Sequence, residues 1–337
     1  MIWLRIVEPT KDKADTEVIA ALGVFDGVHT GHQALLKEAV RLGKSLGKPV
    51  CAITFHPHPK SFLMGSDAAP RLLTSTDEKR ELLSDLGIDL YWQIPFTREL
   101  AETEPLEFVR KYLVETLRAR HIVCGFDYTF GHKGRGRPAD LVSWGSLYGF
   151  EVSVIPPHLS GGEVVSSTRI RRGLESGNIQ EAWDCLGRPY CVCGTVTRGD
   201  GRGRRMGFPT ANLAIQEDKV VPGNGVYGAF ARVGSKSSGR PIIESPAVVN
   251  VGIRPTFGGK NVKVEVHIPG FSGELYEQKM QVFLVSYLRD ERTFSGVEAL
   301  KSQVQKDVSS VLSDHRLKPR CGQTPSFTVP GAYDRML

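Results

Sequence analysis

Apolar and polar positions in the first half of the chain fall into short apolar runs separated by stretches with helical spacing. Residues 18–25, VIAALGVF, are a nearly continuous apolar run of the kind buried on both faces of a parallel sheet. Residues 32–46 then place Leu35, Leu36, Ala39, Val40 and Leu42 at helical intervals. Further strand patterns lie at 49–55, 90–96, 121–126 and 150–157, with helical patterns near 75–87, 104–118 and 138–148 between them. Two of these helices carry start signals: Ser75 stands three residues before Glu78, as in a capping box, and Pro105 falls in the first turn of 104–118. Strand and helix alternating in this order predict an α/β unit, an open parallel sheet with flanking helices.

Two short helices, expected at 167–176 and 179–186 and separated by Gly177, close this part. After Gly187, Arg188 and Pro189 the pattern turns β-rich: CVCGTVT, VYGAFARV, PAVVNVGI, VKVEVHI and KMQVFLVSYL, joined by turn-forming Gly, Pro and Asn. That predicts a small β-barrel or sandwich. A last helix is expected over 296–312, with Ser295 and Glu298 as its capping box, and the polar, Pro/Gly-rich residues 313–337 are expected to be a mobile tail. The organisation expected is therefore 1–186, 187–312 and the tail.

Composition narrows the class without deciding it. With 337 residues, 40% hydrophobic and 24% charged, the chain suits a soluble globular protein of two domains. A net charge of +6 suits anionic partners, nucleotide or nucleic acid. Six cysteines include no C-x-x-C and no zinc spacing, so they are expected as reduced thiols, and the N-terminus has neither a signal peptide nor a membrane span, which predicts a cytoplasmic protein.

Candidate chemistry begins at Gly23–His32, GVFDGVHTGH, between the first long strand pattern and a helix start. Unpaired N–H groups and the helix dipole favour phosphate there. Gly23, Phe25, Asp26 and Gly27 build the loop, Gly31 lets backbone approach a ligand, and His29 and His32 add donors; a surface pair or half of a metal site is the other reading of two such histidines. A second cluster, Ser166, Ser167 and Thr168 followed by Arg169, Arg171 and Arg172, reads as a phosphate clamp or as an N-cap before a solvated basic face.

The β-rich half carries GTVTRGDGRGRRMGFPTANL, which is neither a Walker A loop nor a dinucleotide fingerprint, since a proline and a strand rather than a helix follow GDGRG. Gly199, Gly201 and Gly203 form a turn able to wrap phosphates, Arg202, Arg204 and Arg205 supply charge, and Thr210 and Asn212 offer oxygens suited to Mg²⁺. Such an arginine-glycine loop suits RNA as well as ATP. Strand alternation in VKVEVHI puts Val262, Val264 and Val266 on one face and Lys263, Glu265 and His267 on the other, which makes Glu265 a candidate general base or a surface residue.

Taken together, GVFDGVHTGH, TFHPHP at 54–59, CGFDYTFGHKGRG at 124–136, SSTRIRRGLESGNIQEAWDCLGRPY from Ser166 and the P-T-A-N tetrapeptide resemble, in order and spacing, the bacterial bifunctional riboflavin kinase/FMN adenylyltransferase family. The resemblance covers about residues 15–312. It implies a Rossmann-like nucleotidyltransferase domain that joins AMP from ATP to FMN, followed by a β-barrel riboflavin kinase domain. It further implies that His29, His32, Ser167, Thr168 and Arg169 hold ATP phosphates, that Thr210 and Asn212 bind Mg²⁺ and phosphates beneath the glycine-rich flap, and that Glu265 is the kinase base. Riboflavin, FMN and ATP are the expected substrates, with no nucleic-acid or membrane partner and a monomer or transient homo-oligomer as the expected state.

One departure is His56, where the family often carries an acidic residue. Phe126, Asp127 and Phe130 are the candidate flavin contacts at the first site, as Phe208 and Phe257 are at the second; core packing is the other reading of these rings. The H-x-G-H pattern also resembles the ATP signature of class I aminoacyl-tRNA synthetases, but no K-M-S-K-S-like segment is present.

Overall fold

A computed structural model describes residues 5–7, 16–64, 69–199, 201–234, 243–256 and 259–317. Phe257 and the expected tail beyond residue 317 lie outside the described residues, as does the side chain of Arg205. By its contacts the chain divides between Ser167 and Thr168 into two units.

The first unit is built on six strands, β1 (Arg5–Val7), β2 (Val18–Leu22), β3 (Val50–His56), β4 (Leu90–Pro95), β5 (Ala119–Gly125) and β6 (Glu151–Ile155). They form one sheet in the order β1-β4-β3-β2-β5-β6, with every neighbouring pair parallel. Alternation along β2 sends Val18, Ala20 and Leu22 into one apolar core and Ile19 and Ala21 into the other, so the continuous apolar run is that of a strand covered on both faces. From β2 the chain builds outward through β3 and β4 and then returns to the other side of β2 for β5. The order therefore reverses between β2 and β5, and a ligand crevice is expected beyond the carboxyl ends of those two strands.

Local expectations hold where local interactions decide. The Ser75 hydroxyl and Glu78 form the predicted capping box of helix Thr76–Asp85, and Pro105 opens Pro105–Phe108. That helix continues through Val109–Thr116 with wider, π-helical turns rather than α-helical ones, keeping Val109 and Leu113 buried. Strand β2 stops at Leu22 instead of running to residue 25, because Phe25, Gly27 and Val28 turn to φ of 51°, 81° and 42°. Helix Thr30–Leu46 accordingly starts two residues before the predicted 32.

After the two-residue strands β7 (Leu159–Ser160) and β8 (Glu163–Val164), helix Ser167–Glu175 and helix Ile179–Leu186 lead to the second unit. The barrel alternative is the one observed. Strands β9 (Tyr190–Thr197), β10 (Ala211–Ala214), β11 (Gly225–Val233), β12 (Ile243–Thr256), β13 (Gly259–His267) and β14 (Lys279–Arg289) close in the order β10-β13-β12-β11-β14-β9. Val196, Tyr227, Ala229, Val249, Val264, Val266 and Val282 are buried. On another face Val226, Phe230, Val248 and Val285 pack with Val311 and Leu317. Helix Ile179–Leu186 packs on β9 and β14, which is why contacts divide the chain at 167/168 whereas the sequence pattern changes at 186/187. The last helix, Val297–Ser313, is capped by Gly296 with no side-chain bond, so the expected Ser295–Glu298 capping box is not formed. A single helical turn, Arg202–Arg205, interrupts what the sequence presented as loop before the strand.

Candidate functional site

In the first unit the arch Gly23–His29 follows the carboxyl end of β2 at the point of reversal. His29 is the N-cap of helix Thr30–Leu46: its Nδ1 accepts from the His32 backbone N–H at 3.2 Å. The two imidazoles stack with centroids 3.6 Å apart and 16° between planes. The His32 Nδ1 is buried without a hydrogen-bond partner among the described residues. Burial, reinforced by the neighbouring His29 and Lys79, holds the His32 imidazole well below the usual histidine range, so it is neutral at pH 7. A Cβ on Gly31 would come to 3.2 Å from the His29 ring, so glycine lets the helix start pass tightly under that histidine.

The arch is strained and anchored. Left-handed conformations at Phe25 and Val28 cost on the order of 1–3 kcal/mol each, and complete burial of both side chains works against that cost. Carbonyls along the arch are held from below: Val24 accepts from Thr54 Oγ1 and Lys79 Nζ, both at 2.9 Å, Asp26 from Ser167 Oγ at 2.9 Å, and Val28 from Gln33 Nε2 at 3.0 Å. The Asp26 carboxylate, 2% exposed, accepts from the backbone N–H groups of Leu73 at 2.9 Å and Thr74 at 3.2 Å. It thus ties the arch to a segment distant in sequence.

Other expected first-site residues have mixed positions. Thr168 is exposed, and Arg169 pairs closely with Glu181 of the next helix, its side chain 12% exposed. Phe126 and Asp127 are exposed just past the end of β5, whereas Phe130 is buried among Phe108, Tyr128 and Trp144 and serves the core. His56 is exposed at the end of β3.

The second unit holds a cleft of about 1190 Å³ over the barrel wall, bounded by the glycine-rich loop, β13, the segment 289–294 and helix Val297–Ser313. Antiparallel pairing places Glu265 of β13 directly opposite Asn212 of β10 and Asn250 of β12, so three oxygen-bearing side chains share one row. Val264 and Val266 face the other way and are buried, as the alternation predicted. The glycine loop lies directly on the P-T-A-N segment: a Cβ on Gly199 would fall 2.1 Å from the Asn212 amide, and one on Gly203 would fall 2.4 Å from the Phe208 carbonyl and 3.3 Å from Thr210 Oγ1. Gly201, at φ 66°, supplies the left-handed turn. His267 Nδ1 donates to the Pro209 carbonyl at 2.9 Å, and the Phe208 ring meets it edge-on.

Sequence reasoning put Lys263 on the Glu265 face without giving it a role, and passed over several other residues of both sites. Lys263 Nζ lies 2.9 Å from Glu265 Oε1. Arg289 grips Asp307 with Nε and Nη2, at 2.8 Å for the shorter contact, and Gln303 adds a bond to the same carboxylate. Asn250 and Thr54 were given no role, although Thr54 opens the TFHPHP segment, and Lys79 lay in no motif. The i, i+2 spacing of Lys263 and Glu265 was a usable signal.

Among the described residues no group of three His, Cys, Asp or Glu side chains could hold a metal ion. Thr210 and Asn212 instead offer neutral hard oxygens, which suit an Mg²⁺ ion completing its shell with phosphate oxygens and water.

Comparison with known proteins agrees with this two-site layout. A family model described as FAD synthetase matches residues 11–169, and one described as riboflavin kinase matches 186–313. A bifunctional riboflavin kinase/FMN adenylyltransferase of Listeria monocytogenes is 36% identical over 307 residues, 91% of this chain and 95% of that protein. Proteins of the same description from Bacillus subtilis and Escherichia coli K12 are 33% and 35% identical, each covering 86% of this chain and 90% of the relative. A solved structure from Streptococcus pneumoniae, described as a macrolide-efflux protein, superposes with a TM-score of 0.83 at 29% identity, covering 93% of this chain and all of that one. That description belongs to the other protein; here no helix among the described residues is long and apolar enough to cross a membrane. With both family models in tandem and relatives aligned along most of its length, the chain belongs to the bifunctional riboflavin kinase/FMN adenylyltransferase family.

Proposed function

We propose that the chain's two reactions, phosphorylation of riboflavin to FMN and adenylylation of FMN to FAD, are carried by two separate sets of side chains. The observation that carries this reading is the row Asn212–Glu265 lying against Gly199 of the glycine-rich loop, a base and a phosphate loop within one cleft that contains no part of the histidine arch. On this reading residues 1–186 serve adenylyl transfer and 187–312 serve phosphorylation.

In the kinase step Glu265 accepts the proton of the ribityl 5′-hydroxyl as that oxygen bonds to the γ-phosphorus of ATP and the bond to ADP breaks. Gly199, Gly201, Gly203 and Arg205 wrap the phosphates. Thr210 and Asn212 would hold Mg²⁺, which supplies charge neutralisation at the transferring phosphoryl group. Lys263 keeps the Glu265 carboxylate in place.

In the second step an FMN phosphate oxygen bonds to the α-phosphorus of ATP while the bond to pyrophosphate breaks, with no covalent enzyme intermediate. Catalysis is then positioning and stabilisation of the departing charge. Gly23, Phe25, Gly27 and Gly31 shape the phosphate seat, and Asp26 fixes it through Leu73 and Thr74. His29, His32, Ser167, Thr168 and Arg169 donate to phosphate oxygens; His32, being neutral, can give one N–H. Phe126 and Asp127 are placed for the flavin, with Phe130 supporting them from the core. Buried thiols at Cys51 and Cys124 suit a cytoplasmic enzyme, acting on small molecules as a monomer or transient homo-oligomer without nucleic acid or membrane.

The test is chromatographic, with riboflavin, ATP and Mg²⁺ sampled for FMN, FAD, ADP and pyrophosphate. His32→Ala should accumulate FMN and lose FAD formation about a hundredfold or more, roughly 3 kcal/mol in the chemical step. Glu265→Gln should make no FMN yet convert supplied FMN to FAD. Equal loss of both reactions in either variant would reject the assignment.

A further inference from the structure

Lys79, on helix Thr76–Asp85, is only 7% exposed, an unusual place for an ammonium group. Its Nζ donates to the Val24 carbonyl at 2.9 Å, and the same carbonyl accepts from the fully buried Thr54 Oγ1 at 2.9 Å. Val24 lies in the arch two residues beyond the end of β2, immediately before the left-handed Phe25. Burial disfavours the Lys79 charge and the Asp26 carboxylate opposes that effect, while the same charge acts on His32. A side chain that only filled space here would be Leu or Met; a buried cation is retained at a cost unless specific contacts hold it. Its ammonium donates to the arch backbone, and the charge of the Asp26 carboxylate, which pins Leu73 and Thr74, favours the ammonium form.

We propose that Lys79 is a positioning residue for adenylyl transfer: together with Thr54 it fixes the Val24 carbonyl and so locks the left-handed arch on which the ATP phosphates are bound. Two donors on one carbonyl keep the peptide following Val24 from rotating, and that peptide sets the direction in which Phe25 and Val28 leave the sheet. Released from Lys79, the arch loses one of the bonds that hold its strain and is left with Thr54 and the burial of Phe25 and Val28 to oppose relaxation. The role rests on the assignment of the histidine arch to ATP phosphates.

The experiment is steady-state adenylyl transfer with the full chain, varying ATP and FMN separately, in wild type, Lys79→Met, Lys79→Arg and His32→Ala, with riboflavin phosphorylation measured on each preparation. Lys79→Met should raise KM for ATP about tenfold or more and lower kcat, leave KM for FMN and riboflavin phosphorylation within about twofold, and regain at least part of the loss in Lys79→Arg. An unchanged KM for ATP in folded Lys79→Met overturns the role. If His32→Ala also leaves adenylyl transfer unchanged, it is the assignment of the arch that fails; if His32→Ala is inactive while Lys79→Met is normal, only the role of Lys79 fails. Should Lys79→Met not accumulate as folded protein, Thr54→Val removes the other donor, and an unchanged KM for ATP in that variant overturns the proposal equally.

Discussion

His29 caps the helix whose third residue is His32, and the two rings lie stacked 3.6 Å apart, so one imidazole shapes the position and the protonation of the other. An unfolded His32 titrates near 6.5, and the folded one well below it. The unfolded chain therefore binds the proton first as pH falls. Stability from this group is fully present above about pH 6.5 and is lost on acidification through the folded value, at up to about 1.4 kcal/mol per pH unit for one proton. Chemical denaturation from pH 7.5 to 5 should show this decline in wild type, and His32→Gln should flatten it. An unchanged slope in the variant would assign the acid sensitivity elsewhere.

Gly199 leaves no room for a side chain beside Asn212. In Gly199→Ala the Asn212 carboxamide must move, because the added carbon would overlap its nitrogen. Riboflavin phosphorylation should fall about tenfold, mainly through KM for ATP, with adenylyl transfer from supplied FMN unaffected. A normal KM for ATP would place the metal and phosphates away from Asn212.

Asp307 is 5% exposed and its partner Arg289 nearly as hidden, so truncating one leaves the other buried and unpaired. Asp307→Ala should cost about 3–5 kcal/mol in the unfolding of the barrel unit. Calorimetry of the full chain should show one transition moved down and another unmoved. The guanidinium also lies over the Phe294 ring on the cleft wall, so KM for riboflavin should rise in the same variant.

Phe126 and Phe130 are separated by four residues and by opposite burial, 46% against 5% exposed. Phe126→Ala should raise KM for FMN with little change in unfolding temperature. Phe130→Ala should instead lower stability by about 3–5 kcal/mol, the range for emptying a core aromatic position. Reversal of these two outcomes would put the flavin against Phe130.

Much of the fold was legible because its signals are local. The capping box at Ser75 and Glu78 involves groups three residues apart, and the alternation of Val264, Glu265 and Val266 follows from the pleat alone. The same kind of signal misled at Ser295 and Glu298, where the chain enters the helix through an extended Gly296. Lys79 sits within T-D-E-K-R, a run that reads as a solvated helix face. Only the packing of that helix against the arch turns its lysine inward.

The sequence by itself determined the element order, the alternation that turns Glu265 toward the cleft, and the motifs that resemble a riboflavin kinase and an FMN adenylyltransferase. Tertiary structure alone decided the order in which the barrel strands pair, that Asp26 bonds to Leu73 and Thr74 across 47 and 48 residues, and that Asn212, Glu265 and Asn250 share one row. The physical reason is range. Helix caps and pleats are set by neighbours a few residues away, whereas which strand pairs with which, and which charge is buried beneath a loop, depends on bonds between segments that share no local pattern.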